Sequence, residues 1–198
     1  MKTAIVAGAT GLVGNNLLHQ LLNDEKDEKV IVFVRRETGT SHQKLEEHIV
    51  DFDKPENWNE KVKGDVLFSA MGTTLKQAGS KAAQRKVDYT YQYEMAKMAS
   101  ENGVKDYVLV SAPGASPNSL IFYSRIKGEL DRDVRKLNFK RIIILKPSIL
   151  AGKREKQRKA EEFFGKLMAS LRWIPGLRKY RPIHGEQVAR AMIRFVEE

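Results

Sequence analysis

Three glycines set three residues apart, in Gly8-Ala9-Thr10-Gly11-Leu12-Val13-Gly14, fall where an apolar run from Thr3 to Ala7 gives way to leucines at helical spacing. In such a strand-to-helix turn each glycine has a physical task. One makes the tight bend, one lets a phosphate approach the backbone, and one lets the helix pack against the sheet. The helix N-terminus just beyond offers unpaired N–H donors and a favourable dipole to an anion. The spacing is G-x-x-G-x-x-G rather than G-x-G-x-x-G, but a strand before, a helix after and a βαβ unit around it are the context such a motif requires. A secretory leader is the competing reading, with Lys2 ahead of an apolar stretch. It fails because the glycines interrupt the stretch, no small-x-small cleavage site ends it, and it runs straight on into a helix.

The alternation continues along the chain. Val30 to Val34 is a continuous apolar strand of the kind buried on both faces of a parallel sheet. Asp65 to Ala70, Asp106 to Val110 and Arg141 to Leu145 read as further strands, and His48 to Phe52 as a weaker one. Helices are predicted over Lys81 to Asn102, Ile121 to Leu137, Ala160 to Leu171 and Glu186 to Val196. Parallel neighbours need a crossover, usually a helix, and the crossovers are right-handed. The pattern therefore predicts an α/β fold: one doubly wound parallel sheet with helices on both faces. With 198 residues and no linker or internal repeat, residues 1–198 are expected to form a single domain.

Composition removes several function classes. The absence of cysteine excludes disulfides, thiolate metal sites and cysteine nucleophiles, so no metal site is predicted, and it fits a reducing compartment. No apolar run approaches the roughly 20 residues that cross a bilayer. A cytoplasmic protein is expected, acting on a small molecule as a monomer or weak homodimer. The net charge of +10 is concentrated: between Ala151 and Pro182 ten Lys or Arg face three Glu. A protein that coats nucleic acid would not confine its charge to one stretch. Residues 151–182 are read as a small basic substrate or lid region. In it Phe163, Phe164, Leu167, Met168 and Leu171 form an apolar stripe packed on the domain inside a solvated cationic rim.

The second strand ends in Arg35 and Arg36, about twenty residues past the glycine turn, where an Asp or Glu usually meets a ribose 2′-OH. Guanidinium groups there match a 2′-phosphate in charge and in bidentate geometry, which favours NADP(H) over NAD(H). Farther along, Tyr123 and Lys127 stand four apart on one helical face. A phenol titrates near pH 10, and a neighbouring ammonium stabilises its phenolate, bringing it toward useful acid–base chemistry.

Taken together, the glycine turn, the Tyr123/Lys127 pair and the strand ends resemble the short-chain dehydrogenase/reductase superfamily, from Lys2 to about Val196. With Gly72-Thr73-Thr74, Val87-Asp88-Tyr89-Thr90-Tyr91 and Tyr123-Ser124-Arg125-Ile126-Lys127-Gly128-Glu129, the chain is similar to an atypical subgroup, that of the small Tat-interacting-protein-like oxidoreductases. The resemblance implies a Rossmann-type sheet and a dinucleotide held by Gly8, Thr10, Gly11, Leu12, Val13, Gly14, Arg35 and Arg36. It also implies an adenine edge at Asp51 and Phe52, a ribose edge at Ala70, Met71 and Gly72, and a nicotinamide edge at Pro147. Tyr123 would donate the proton, and Lys127 would activate it and hold the nicotinamide ribose. The family's serine is often the second of a pair after the fifth strand, whereas this chain reads Val110-Ser111-Ala112-Pro113-Gly114. Ser111, Ser116 or no serine fills that role. Only 51 residues follow Pro147, which implies a small or open substrate pocket. The expected function is NADP(H)-dependent reduction of a small carbonyl compound. The alternatives are an NADP(H)-sensing regulatory or scaffold protein, and a nucleotide-sugar epimerase-like enzyme, which the short C-terminal region disfavours.

Overall fold

The fold follows from strands that are apolar on both faces. A computed structural model describes residues 2–148, 150–151 and 182–197. The expected helix at Ala160–Leu171 and nearly all of the basic 151–182 region lie outside the described residues. Strands β1 (Lys2–Ala7), β2 (Asp27–Val34), β3 (Leu45–Ile49), β4 (Val66–Ser69), β5 (Asp106–Val110) and β6 (Arg141–Leu145) form one sheet. It is parallel throughout, in the order β3-β2-β1-β4-β5-β6. A second, two-stranded parallel pair joins β7 (Leu150–Ala151) to β8 (Ile183–His184).

Because side chains alternate across a strand, each strand feeds two cores. Ala4, Val6, Val30, Val32, Val34, Val66, Phe68, Val108 and Val110 point to one face, against helices α1 (Leu12–Asn23) and α6 (Gly185–Glu197). Ile5, Ala7, Ile31, Phe33, Leu67, Tyr107 and Leu109 point to the other. There they meet Met95, Ala96, Met98 and Ala99 of α4 (Tyr91–Glu101) and Leu130 and Val134 of α5 (Phe122–Val134). Burying apolar area on both faces at about 25 cal/mol per Å² is what holds so continuous an apolar strand in place. The α1 and α6 helices cross closely: a Cβ on Gly185 would stand 2.8 Å from the Leu12 carbonyl oxygen.

Two elements depart from the expected bounds. The third strand begins at Leu45, three residues before the expected His48, and pairs in register with Val30–Val34. Phe52, expected in that strand, instead packs between Trp58 and Tyr91, at ring distances of 5.4 and 5.3 Å. The helix expected from Lys81 to Asn102 is three pieces: α3 (Lys81–Arg85), one wide π-turn (Lys86–Thr90) and α4. Ahead of it lies the short α2 (Leu75–Ala78).

At the amino end of the sheet Asp27 is only 7% exposed, beside a cavity of about 310 Å³ lined also by Leu21, Phe68 and Ile193. Burial, then the nearby Asp24 carboxylate, pushes its pKa from the ordinary 3.8 to about 6, while Lys2 and Lys44 oppose the rise. The folded protein therefore holds a proton that the unfolded chain has already released, and this group's contribution to stability falls as pH rises from about 4 to about 6. Asp27→Asn removes that dependence. Relative to wild type it should gain about 1–3 kcal/mol at pH 8 and almost nothing at pH 4, as read from urea midpoints at both pH values.

Candidate active site

In a doubly wound sheet the ligand crevice opens outside the carboxyl ends of the strands, where the strand order reverses direction. Here that point lies between β1 and β4. The turn after β1 is built from backbone alone. Gly8 has φ +89°, and a side chain there would come within 2.8 Å of the Ala70 carbonyl and the Met71 nitrogen. A Cβ on Gly14 would meet the Gly8 oxygen at 2.0 Å, so Gly14 lets α1 press onto the turn. Gly11 N–H donates to the Gly8 carbonyl at 2.9 Å, and Gly11 caps α1 without a side-chain hydrogen bond. The first-turn N–H groups of α1 are thus left without a capping side chain, as an anion site requires.

Beyond this turn opens a cavity of about 600 Å³. Its walls are Gly11, Leu12 and Val13 from the turn, Ala70 to Leu75 from the segment after β4, Val110 and Ser111 from the end of β5, and Leu150 from β7. Lys81, Gln84 and Asp88 of α3 and the π-turn, together with Ile121, Phe122, Tyr123 and Lys127 of α5, complete it. The expected residues Gly11, Leu12, Val13, Ala70, Met71, Gly72, Ser111, Tyr123 and Lys127 are therefore brought to one place. Gly8, Thr10, Gly14, Arg35, Arg36, Asp51, Phe52 and Pro147 do not line this cavity. Arg35 and Arg36 stand exposed just past β2, the strand next to β1, with Ala7 opposite Phe33 in register. Asp51 is exposed, while Phe52 is buried.

The polar groups at the cavity wall differ in their surroundings. Tyr123 is 40% exposed, and Lys127, one helical turn on, only 2%. Burial pushes the Lys127 amine below its ordinary range, and the carboxylates of Asp88 and Asp131 oppose that. Ser111 is buried and its Oγ makes no hydrogen bond to the described residues, so it is free to meet a polar atom entering the cavity. Ser116, the other serine considered, does not line the cavity; its N–H donates to the Ser124 carbonyl at 3.1 Å, and its backbone lies against Gly128. Sequence reasoning missed Gln84 and Asp88 as wall residues. Both are polar residues on a helical stretch, and polarity in that position reads as a solvated face.

A family model described as NAD(P)H-binding matches residues 8–197. Mitochondrial protein FMP52 of Debaryomyces hansenii is 38% identical over 201 residues, spanning 99% of this chain and 88% of its own length. The oxidoreductase ylbE from Lactococcus lactis has a similar structure, with a TM-score of 0.69 at 20% identity over 98% of this chain and 84% of its own. A short chain dehydrogenase from Burkholderia cenocepacia J2315, solved with NADP, has a TM-score of 0.69 at 15% identity over 100% of this chain and 84% of its own. At those identities the two structures testify to the fold. The relatives' mitochondrial naming corrects the expectation of a cytoplasmic protein. Cysteine content reports at most on redox conditions, and these do not distinguish one reducing compartment from another.

The two glycines should respond differently to substitution. Gly14→Ala forces its Cβ into the Gly8 carbonyl and should destabilise the fold by about 1–3 kcal/mol or more, as overpacking does. Gly11 has φ −86°, and a Cβ there would meet the Gly8 oxygen at 3.2 Å and the Ala70 oxygen at 3.8 Å, so Gly11→Val should fold. It should lose dinucleotide affinity by roughly tenfold or more, since the side chain stands where phosphate approaches. Thermal melts and nucleotide titration on both variants check this.

Proposed function

The chain belongs to the NAD(P)H-binding family and carries a Rossmann fold, and from that premise we propose that it is an NADP(H)-dependent reductase of a small carbonyl compound. One observation carries the reading: a single cavity joins the backbone turn that suits a pyrophosphate to Ser111, Tyr123 and Lys127. The first-turn N–H groups of α1, beside Gly11 to Val13, would hold the cofactor's phosphates. Arg35 and Arg36, exposed at the end of β2, meet the 2′-phosphate. Lys127 holds the nicotinamide ribose. When bound, the cofactor would supply the hydride that such a reduction needs.

The chain's own groups complete the reduction. Ser111 Oγ, buried and without a partner among the described residues, donates to the carbonyl oxygen as charge develops there. Tyr123 delivers the proton, and the Lys127 cation one turn away stabilises the phenolate left behind. The exposed apolar side chains at the mouth, Leu75 and Ile121 beside Phe122, favour a substrate whose body is apolar.

Calorimetric titration tests the cofactor. Wild type should bind NADPH more tightly than NADH. Arg35→Ala/Arg36→Ala should lose about 10–100-fold in NADPH affinity, the worth of charge-assisted hydrogen bonds, and little for NADH. Equal affinities in wild type would remove the NADP(H) preference.

Turnover on a panel of aldehydes, ketones and quinones tests the chemistry. Tyr123→Phe should leave NADPH affinity nearly intact and cost roughly 10²–10⁴ in kcat, the usual worth of a positioned acid. Ser111→Ala should cost about 10²–10³, as for one oxyanion donor. A protein that binds NADPH tightly yet reduces nothing on the panel is a cofactor sensor instead.

A further inference from the structure

Asp88 has no role in the reduction described above, yet its setting is unlike that of any other carboxylate among the described residues. It sits in the π-turn between α3 and α4 with no exposure to solvent, and it forms part of the cavity wall. Its two oxygens do different things. Oδ2 accepts a hydrogen bond at 3.1 Å from the N–H of Thr73, in the segment after β4. Oδ1 makes no hydrogen bond to the described residues and lies 3.8 Å from Lys127 Nζ. The main chain beneath is pinned as well: Gln92 Nε2 donates to the Asp88 carbonyl at 3.0 Å, and Gln92 Oε1 accepts from Ser69 Oγ at 2.9 Å.

The other charges around Lys127 are committed or distant from its tip. Asp131, one turn along α5, pairs at 2.9 Å with Lys146 beyond β6. Lys81, on the α3 wall, lies over the Phe122 ring at 5.6 Å. Tyr123 and Ser111 share the cavity and bring hydroxyl groups to it. A lysine buried to this degree loses its proton unless an opposite charge holds it, because desolvation disfavours the ammonium form.

We propose that Asp88 is a positioning residue of this site, the counter-ion that keeps Lys127 a cation at the cavity wall while tying the segment after β4 to the same point. The proposal rests on the reading of Lys127 as the ribose and phenolate partner. It explains why a wide turn interrupts a helix here: the extra residue in that turn brings a carboxylate inward, between the β4 segment and α5. Opposed burial effects agree with it, since burial raises the Asp88 carboxyl and the Lys127 ammonium counters that rise.

The test uses Asp88→Asn, which keeps an oxygen for Thr73 N–H and removes only the charge. Reductive methylation across a pH series, read at Lys127 by mass spectrometry, reports where the amine loses its proton. In the variant that midpoint should fall by about 1–3 pH units, the usual effect of one adjacent opposite charge. The alkaline limb of NADPH affinity should fall with it. Apo-protein melting supplies a second arm that holds even if Asp88→Asn alone is poorly folded. Lys127→Met strands a buried carboxylate and should lower Tm, and adding Asp88→Asn to it should restore most of the loss. Unchanged Lys127 titration in a folded Asp88→Asn protein, or a double variant no more stable than Lys127→Met, overturns the proposal. None of these readouts needs a turned-over substrate, so a protein that reduces no carbonyl refutes the reductase reading and leaves this one standing.

Discussion

Where β1 ends, the Gly8 carbonyl lies so near α1 that a Cβ on Gly14 would come within 2.0 Å of its oxygen, and the Ala70 backbone closes over Gly8 from the other side. Three stretches of main chain meet there with no side chain between them. That contact sets the distance between β1 and α1, and hence the slant of α1 against the sheet. It also brings the end of β4 beside the helix N-terminus, where the cavity opens. Side chains elsewhere can be exchanged for others of similar volume at modest cost. At this junction none can be added without moving backbone.

The two ends of the sheet treat buried charge differently. At the amino end Asp27 is buried beside an apolar floor, with Lys2 and Lys44 near enough to temper its shift. At the carboxyl end Asp88 is buried more completely and has a lysine within 3.8 Å. Burying a lone carboxylate costs stability, whereas burying one with its cation and an N–H donor costs far less.

Much of this was legible in the sequence. Val30 to Val34 and Asp106 to Val110 read as strands because both of their faces are apolar, and the glycine turn read as the join between a strand and a helix, where it lies. Leu45–Ile49 was harder: within it only the end residues are apolar. Its middle carries Glu46 and His48, whose side chains meet each other at 2.6 Å on one face of an edge strand. Glu46 also pairs with Lys29 of β2, and a strand whose polar side chains are met across the sheet looks, in sequence, like a loop. Phe52 illustrates the opposite case: its apolar ring reads as the end of a strand, whereas β3 stops at Ile49 and the ring packs against Trp58. Gln84 and Asp88 were invisible for a third reason: nothing in a polar helical stretch announces that one turn of it is wide. Helical spacing was enough to put Tyr123 and Lys127 on one face, and both line the cavity, whereas only the structure shows that Ser111 lines it and Ser116 does not.

The π-turn at Lys86–Thr90 also bears on how such a chain can change length. Insertions and deletions are ordinarily absorbed by surface loops, at little cost to the elements on either side. Here a surplus residue is housed inside a helix. A π-turn takes up such a residue by widening, so the helix on either side stays nearly in phase. Losing one residue between Lys86 and Thr90 would let the helix close to ordinary pitch with α3 and α4 almost where they are. The carboxylate that the wide turn presses inward at Asp88 would be drawn off the cavity wall. A length change that a sequence comparison would pass over as trivial would, at this one position, redraw the wall of the site.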